Sequence, residues 1–109
     1  MGILDRLNYK KRQRSKAYED VKYWEKLSQS IQKNIHEASL ESNKCEKLSY
    51  ELNRKGFEDT SIQKHREHWN SILQDLNSQL EIVTFYHDQS MEKLNKLGGM
   101  KAIQKDLED

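Results

Sequence analysis

The chain has 109 residues, of which 34% are charged and 34% hydrophobic, and it contains no proline. Its 19 basic and 18 acidic residues nearly cancel, which disfavours a dedicated nucleic-acid binder and a highly charged disordered segment. No apolar run approaches the roughly 20 residues of a transmembrane helix, and no secretory signal is apparent. We therefore expect a cytoplasmic protein, and export without a cleavable signal peptide stays open.

The first predicted element is a long helix over about residues 4–54. Apolar side chains return every three or four positions, which places them on one face of a helix. Gly56 can adopt the left-handed conformation that closes a helix, so we predict a turn over residues 55–60. The apolar stripe of this helix consists of Val21, Trp24, Leu27, Ile31, Ile35, Ala38, Cys45, Leu48 and Leu52.

A second helix is predicted over about residues 61–97, because Thr60 and Gln63 have the spacing of a capping box. Gly98 and Gly99 are expected to end it, and residues 98–109 are expected to form a short tail. In this tail Met100, Ile103 and Leu107 could form one or two amphipathic turns, and the alternative is that the tail frays. The stripe of the second helix consists of Ile62, Trp69, Ile72, Leu73, Leu76, Leu80, Val83, Met91, Leu94 and Leu97.

Two helical arms of nearly equal length predict an all-α fold, with residues 1–109 forming a single antiparallel helical hairpin. Two helices alone bury only a narrow seam, so a partner is expected. Adjacent bulky residues, Tyr23 with Trp24 and Phe85 with Tyr86, predict a second packing surface. Such a surface would allow dimerisation into a four-helix bundle.

A heptad pattern in the first helix places Ser28, Ser42 and Ser49 at inward positions. Small side chains there allow the helices to approach closely but weaken the core. The single cysteine, Cys45, cannot form an intramolecular disulfide, and we interpret it as a small buried apolar residue. A hairpin of this kind is expected to be marginally stable alone, which suits an exchangeable partner.

The sequence has no recognisable arrangement of catalytic or metal-binding residues. We therefore predict a protein that is not an enzyme and that needs no cofactor. His65 and His68 share a helical face and Cys45 is expected nearby, but structural zinc normally takes four ligands. Glu19 and Asp20 are adjacent on a helix and so point to different faces. We predict no metal site, and we interpret these groups as surface residues.

Partner binding is the function that the apolar stripes predict, since large aromatic residues often anchor helical interfaces. The alternative is that Trp24 and Trp69 are ordinary core residues of the hairpin. The candidate partner-binding residues are Trp24, Ile31, Ile35, Trp69, Leu73, Leu76, Leu80, Val83, Phe85 and Tyr86.

A cluster of basic residues near the amino terminus follows the apolar residues Ile3, Leu4 and Leu7. Such a cluster could contact phosphates or an anionic membrane surface, and the alternative is a solvated helix end. The candidate anion or nucleic-acid contacts are Lys10, Lys11, Arg12, Arg14 and Lys16.

Equal helical arms and a short glycine-bearing turn resemble the small helical-hairpin proteins of bacterial type VII (ESX) secretion. That family carries Trp-x-Gly in its turn, whereas here Phe57 follows Gly56. Its export signal has Asp or Glu four residues after a tyrosine, whereas Ser90 follows Tyr86 at that distance. The chain is therefore most similar to the motif-less helical companions of LXG toxins, and the resemblance implies binding to the toxin's helical amino-terminal domain.

The leading hypothesis is a non-catalytic adaptor, chaperone or targeting factor for a helical partner such as a type VII secretion toxin. The partner would be another helical protein, and a second copy of the chain is the other possibility. The alternative hypothesis is a small regulatory protein of phage or plasmid type that contacts nucleic acid through its basic amino-terminal segment.

Overall fold

A computed structural model describes residues 2–58 and 60–108. Met1, Asp59 and Asp109 lie outside the described residues, and Asp59 belongs to the predicted turn. The described residues form three α-helices and no strand, which confirms the all-α prediction. Helix α1 spans Ile3–Arg54, α2 spans Thr60–Lys96 and α3 spans Gly99–Glu108. Within these ranges, no helix combines the length and the apolar character needed to cross a lipid bilayer.

The end of α1 is closed by a glycine in the left-handed conformation. Gly56 has a φ of 81°, which an L-residue with a side chain rarely adopts. The Phe57 amide donates to the Leu52 carbonyl at 2.9 Å, and the Gly56 amide donates to the Asn53 carbonyl at 3.1 Å. These two bonds form a Schellman motif, which satisfies carbonyls that the helix end would otherwise leave without partners.

The junction between α2 and α3 consists of Gly98 and Gly99, with φ values of 114° and 72°. The short tail that follows this junction is helix α3. Its order has a physical cause, because Ile103 is only 5% exposed and Asp106 forms an ion pair with Arg14 of α1. Of the two alternatives that the sequence left open for the tail, the amphipathic helical turns are the one observed.

The chain divides into two compact units, and unit 1 comprises Met1–Ser28 and Ile82–Asp109. Its main apolar cluster contains Ala17 and Val21 of α1, Leu94 of α2 and Ile103 of α3, and Leu94 is fully buried. Within this unit α1 and α2 run antiparallel, since residues later in α1 contact residues earlier in α2. Partly buried side chains complete the cluster, namely Tyr18, Met91 and Leu97.

Unit 2 comprises Gln29–Glu81 and has a thinner interior. Its buried side chains are Ile31, Ala38, Ser42 and Ser49, all from α1. The inward position predicted for Ser42 and Ser49 is thus confirmed. The Ser42 hydroxyl lies 3.0 Å from Asn70 Oδ1, to which it donates a hydrogen bond across the two helices.

One residue of the predicted α1 stripe is misplaced. Leu48 is 44% exposed, although the spacing predicted an inward position. Ser49, the next residue, is 5% exposed and takes the inward position. The helix therefore turns a serine rather than a leucine towards α2 at this level, which keeps the interior of unit 2 small in volume.

Candidate partner-binding surfaces

The clearest surface feature is an aromatic patch on unit 1, formed by Tyr23 and Trp24 of α1 and by Ile82, Phe85 and Tyr86 of α2. The Trp24 and Tyr86 rings are stacked, with centroids 5.0 Å apart and planes 16° apart. Tyr23 meets Trp24 edge-on at 4.9 Å, and Phe85 meets Tyr86 edge-on at 5.6 Å. The four rings thus form a continuous row across the two helices.

The outer members of the aromatic patch are open to solvent. Tyr23 is 61% exposed, Phe85 is 57% exposed and Tyr86 is 44% exposed, whereas Trp24 is half-buried between its neighbours. Ile82 precedes Phe85 by three positions and Tyr86 by four, and it is 57% exposed. Contiguous exposed apolar side chains of this kind mark interaction sites, because single apolar residues are normal on surfaces but clusters are not.

Polar groups lie beside the aromatic patch. His87 Nε2 lies 3.4 Å from Glu25 Oε1, which joins the residues that follow Tyr86 and Trp24 in sequence. His87 Nδ1 also lies 3.6 Å from Asp88 Oδ1. An apolar centre with a polar edge is the usual arrangement of a non-obligate protein–protein interface.

A second surface lies on unit 2, where Trp69 forms one wall of an open groove of about 530 Å³. One side of the groove is apolar, with Trp69, Ile72 and Leu76 of α2. The opposite side carries polar residues of α1, and Ala38 forms part of its floor. His68 meets the Trp69 ring edge-on at 5.7 Å. The residues that line the polar side are Asn34, Glu37 and Glu41.

The predicted partner-binding residues are divided between surface and core. Ile31 and Val83 are each 5% exposed, so they belong to the interiors of their units and are corrected to core positions. They follow the same spacing as the surface residues, which is why the sequence did not separate them. The predicted residues that lie half-buried are Trp24, Ile35, Trp69, Leu73, Leu76 and Leu80. The exposed ones are Phe85 and Tyr86.

The basic amino-terminal cluster is also divided. Lys10, Lys11, Arg12 and Lys16 are exposed. The Arg14 guanidinium instead donates two hydrogen bonds of 2.9 Å to the Asp106 carboxylate, and a third of 3.3 Å to the Leu97 carbonyl. Arg14 is thus held by α3 and by Leu97, the residue that follows α2, and only the other four remain candidates for binding an anion.

The ion pair between Arg14 and Asp106 shifts the titration of both groups. Hydrogen bonds from Arg14 hold the pKa of Asp106 below its ordinary value, although desolvation of the carboxyl acts in the opposite direction. The same hydrogen bonds raise the pKa of Arg14, again against desolvation. The two side chains are 15% and 18% exposed, which limits screening of their attraction by solvent.

Among residues 2–58 and 60–108, no three His, Cys, Asp or Glu side chains come together as metal ligands would. His65 and His68 are exposed and Cys45 is half-buried. No protein-family model, curated protein or solved structure matches the chain.

Sequence reasoning missed Ile82 as a surface residue. It lies outside the predicted stripe, next to the buried Val83. The available signal was its spacing of three and four residues from Phe85 and Tyr86, which places it on the same face of α2 as this aromatic pair.

Proposed function

We propose that the protein is a non-catalytic helical interaction protein that binds a helical partner through the aromatic patch of unit 1. The observation that carries the proposal is the row of four rings, in which the stacked pair of Trp24 and Tyr86 is flanked by two edge-on contacts and three of the four rings are exposed. Rings already fixed against one another lose little side-chain freedom on binding, so more of their burial energy is available to a complex.

The geometry of the patch suits a helix. Ile82, Phe85 and Tyr86 present side chains at spacings of three and four residues, and Tyr23 extends this surface onto α1. An amphipathic helix laid across such a surface inserts its own apolar residues at the same spacing. Glu25 and His87 would then lie at the polar edge of the interface.

The biological role that we propose is that of an adaptor, chaperone or targeting factor, such as a companion of a type VII secretion toxin of the LXG class. In this role the helical hairpin would complete a bundle with the toxin's helical amino-terminal domain. The proposal is supported by the thin interior of unit 2, where Ser42 and Ser49 replace apolar residues. A chain with so small an interior gains stability when a partner adds further helices.

The regulatory alternative, in which the basic amino-terminal segment contacts nucleic acid, has weaker support. Arg14 is engaged by Asp106. The exposed Ile3, Leu4 and Leu7 beside the remaining basic residues have no role in binding a phosphate backbone.

The experiment is co-expression of the tagged chain with the helical amino-terminal domain of an LXG toxin. The Ile82→Ala/Phe85→Ala variant is expected to weaken the complex at least about 30-fold, because a single central apolar anchor contributes about 2 kcal/mol. The matched control is Tyr50→Ala/Phe57→Ala, which removes two residues of unit 2 and its turn that are 69% and 62% exposed. This control should bind like the wild type.

The mass of the purified chain in solution, measured by light scattering, distinguishes binding of a different helical protein from dimerisation. A monomer that binds the toxin domain, and loses it in the Ile82→Ala/Phe85→Ala variant, supports the adaptor role. A stable dimer that this variant dissociates, with no binding of the toxin domain, would assign the aromatic patch to dimerisation into a four-helix bundle instead.

A further inference from the structure

The first two turns of α1 carry three large apolar side chains that are exposed to solvent. Ile3 is 79% exposed, Leu4 is 75% exposed and Leu7 is 58% exposed. Leu7 follows Ile3 by four positions and Leu4 by three, so the three share one side of the helix. We call these three residues the N-terminal apolar face.

Helix α3 covers the part of α1 that follows this face. Asp106 pairs with Arg14, and Ile103 packs in one cluster with Ala17. Leu107, which is 79% exposed, lines a small cavity with Lys11 and so lies close to the uncovered part of α1. Because Lys11 follows Leu7 by four positions, the exposed Leu107 lies about one helical turn from the N-terminal apolar face.

Basic residues accompany this apolar surface. Residues 2–16 contain six basic side chains and a single acidic one, Asp5. Lys10 and Lys11 follow Leu7 by three and four positions, so they extend the same side of the helix. A shallow depression beside them is lined by Asn8, Lys11, Arg12 and Ser15. Its lining offers hydrogen-bond donors and positive charge and no carboxylate, which matches the chemistry of a phosphate group.

We infer that this surface docks onto a membrane rich in anionic phospholipids, with the first turns of α1 against the interface. The N-terminal apolar face enters the boundary between headgroups and acyl chains, and Lys11 and Arg12 contact the headgroup phosphates. Both features are needed, because interfacial binding combines buried apolar area with attraction to anionic lipid. The surface shares no residue with the aromatic patch, so this inference goes beyond the proposed function.

Two other occupants fit the surface less well. A nucleic acid would use the basic side chains but would leave three large apolar residues in water. A second copy of the chain would cover the apolar residues but would bring the basic residues of both copies together, where like charges repel. An anionic membrane satisfies both the apolar residues and the positive charge.

The test is co-sedimentation of the full chain with vesicles of phosphatidylcholine alone and with vesicles containing about one third phosphatidylglycerol. The wild type is expected to bind the vesicles that contain phosphatidylglycerol and not those of phosphatidylcholine. Raised salt should weaken this binding. The Lys11→Gln/Arg12→Gln variant should lose about 30-fold in partition coefficient, since each basic residue contributes roughly fivefold at an anionic surface. The Leu4→Gln/Leu7→Gln variant should lose about tenfold.

Matched controls come from unit 2. Lys47→Gln/Arg54→Gln removes the same charge from exposed positions, and Leu40→Gln/Leu48→Gln removes two leucines that are 48% and 44% exposed. Both controls should bind the anionic vesicles like the wild type. Circular dichroism of every variant should show the helix content of the wild type, because all of the altered side chains are exposed.

Three results would overturn the inference. Wild-type protein that stays in solution with anionic vesicles rules out the membrane. Unchanged binding by Leu4→Gln/Leu7→Gln shows that charge alone is responsible, and a parallel shift of duplex DNA would then assign the segment to nucleic acid. A dimer dissociated by Leu4→Gln/Leu7→Gln, without vesicle binding, assigns the N-terminal apolar face to a second copy of the chain.

Discussion

The indole of Trp24 lies flat against the ring of Tyr86, with the two centroids 5.0 Å apart, and this contact joins α1 to α2 in unit 1. Both rings are flanked by more exposed aromatic residues, so the contact supports the floor of the aromatic patch. A residue in such a position affects both the folding of its unit and the shape of the surface above it.

Trp24→Ala is expected to lower the free energy of unfolding by about 2 kcal/mol, because it removes both apolar burial and a stacked ring. Tyr86→Phe keeps the ring and should stay within about 0.5 kcal/mol of the wild type. Urea unfolding followed by circular dichroism measures both. Equal losses in the two variants would show that the Tyr86 hydroxyl, and not the stack, carries the contact.

The ion pair between Arg14 and Asp106 predicts a dependence of stability on pH. Hydrogen bonds from Arg14 place the pKa of folded Asp106 below its unfolded value of about 4. The pair therefore stabilises the folded chain fully above about pH 4, and this contribution is lost as the pH falls through the folded pKa.

The corresponding measurement compares thermal unfolding of the wild type and Asp106→Asn from pH 7 downwards. The wild type should be more stable at neutral pH, and the difference should shrink below about pH 4. Asp75→Asn, at an exposed position of α2, is the control for general charge effects. A gap between wild type and Asp106→Asn that stays constant to the lowest pH would contradict the assigned role of the carboxylate.

Gly98 and Gly56 allow a matched comparison of two helix ends. A Cβ at Gly98 would lie 2.8 Å from the Ala102 Cβ, whereas a Cβ at Gly56 meets no atom within 4 Å. Both have positive φ, so Gly56→Ala should cost about 1 kcal/mol from backbone strain alone. Gly98→Ala should cost about 3 kcal/mol, because the collision adds to the strain. Urea unfolding midpoints measure whether Gly98→Ala is destabilised more than Gly56→Ala. Equal destabilisation would show that the structure relieves the collision with Ala102.

Ser42 tests the closeness of the two helices in unit 2. Ser42→Ala removes the hydrogen bond to Asn70 and should cost about 1 kcal/mol. Ser42→Leu inserts a large side chain at a site that is 7% exposed and should cost about 3 kcal/mol. If Ser42→Leu is instead as stable as the wild type or more so, as determined by thermal unfolding, the helices have room for a larger interior.

Much of the helical fold could be predicted because its signals are local. The left-handed conformation of Gly56 and of the Gly98–Gly99 pair marks helix ends, and the stripes of α1 and α2 identify Val21 and Leu94 as buried. The heptad pattern also identified Ser42 and Ser49 as inward residues. Each of these features is determined by residues within one or two helical turns of it in the sequence.

The sequence left open whether α3 is ordered or frayed, because the cause of its order is not local. Asp106 lies 92 positions from Arg14, and the sequence presents Arg14 as one of several neighbouring basic residues. The aromatic patch was predicted in part for the same reason. The adjacent pairs Tyr23 with Trp24 and Phe85 with Tyr86 were visible, but which ring of each pair faces outwards depends on the partner helix.

The two units differ in how much of the chain each needs, and this bears on the order of folding. Unit 2 is one continuous stretch, Gln29–Glu81, whereas unit 1 combines Met1–Ser28 with Ile82–Asp109. During synthesis on a ribosome, the contacts of unit 2 can form while the rest of the chain is still being made. The ion pair between Arg14 and Asp106 can form only after Asp106 has been synthesised. Closing so long a loop is slow, so the amino-terminal half of α1 spends the time of synthesis without its partners. During that interval its apolar residues are the part of the nascent chain most open to chaperones, membranes and premature assembly.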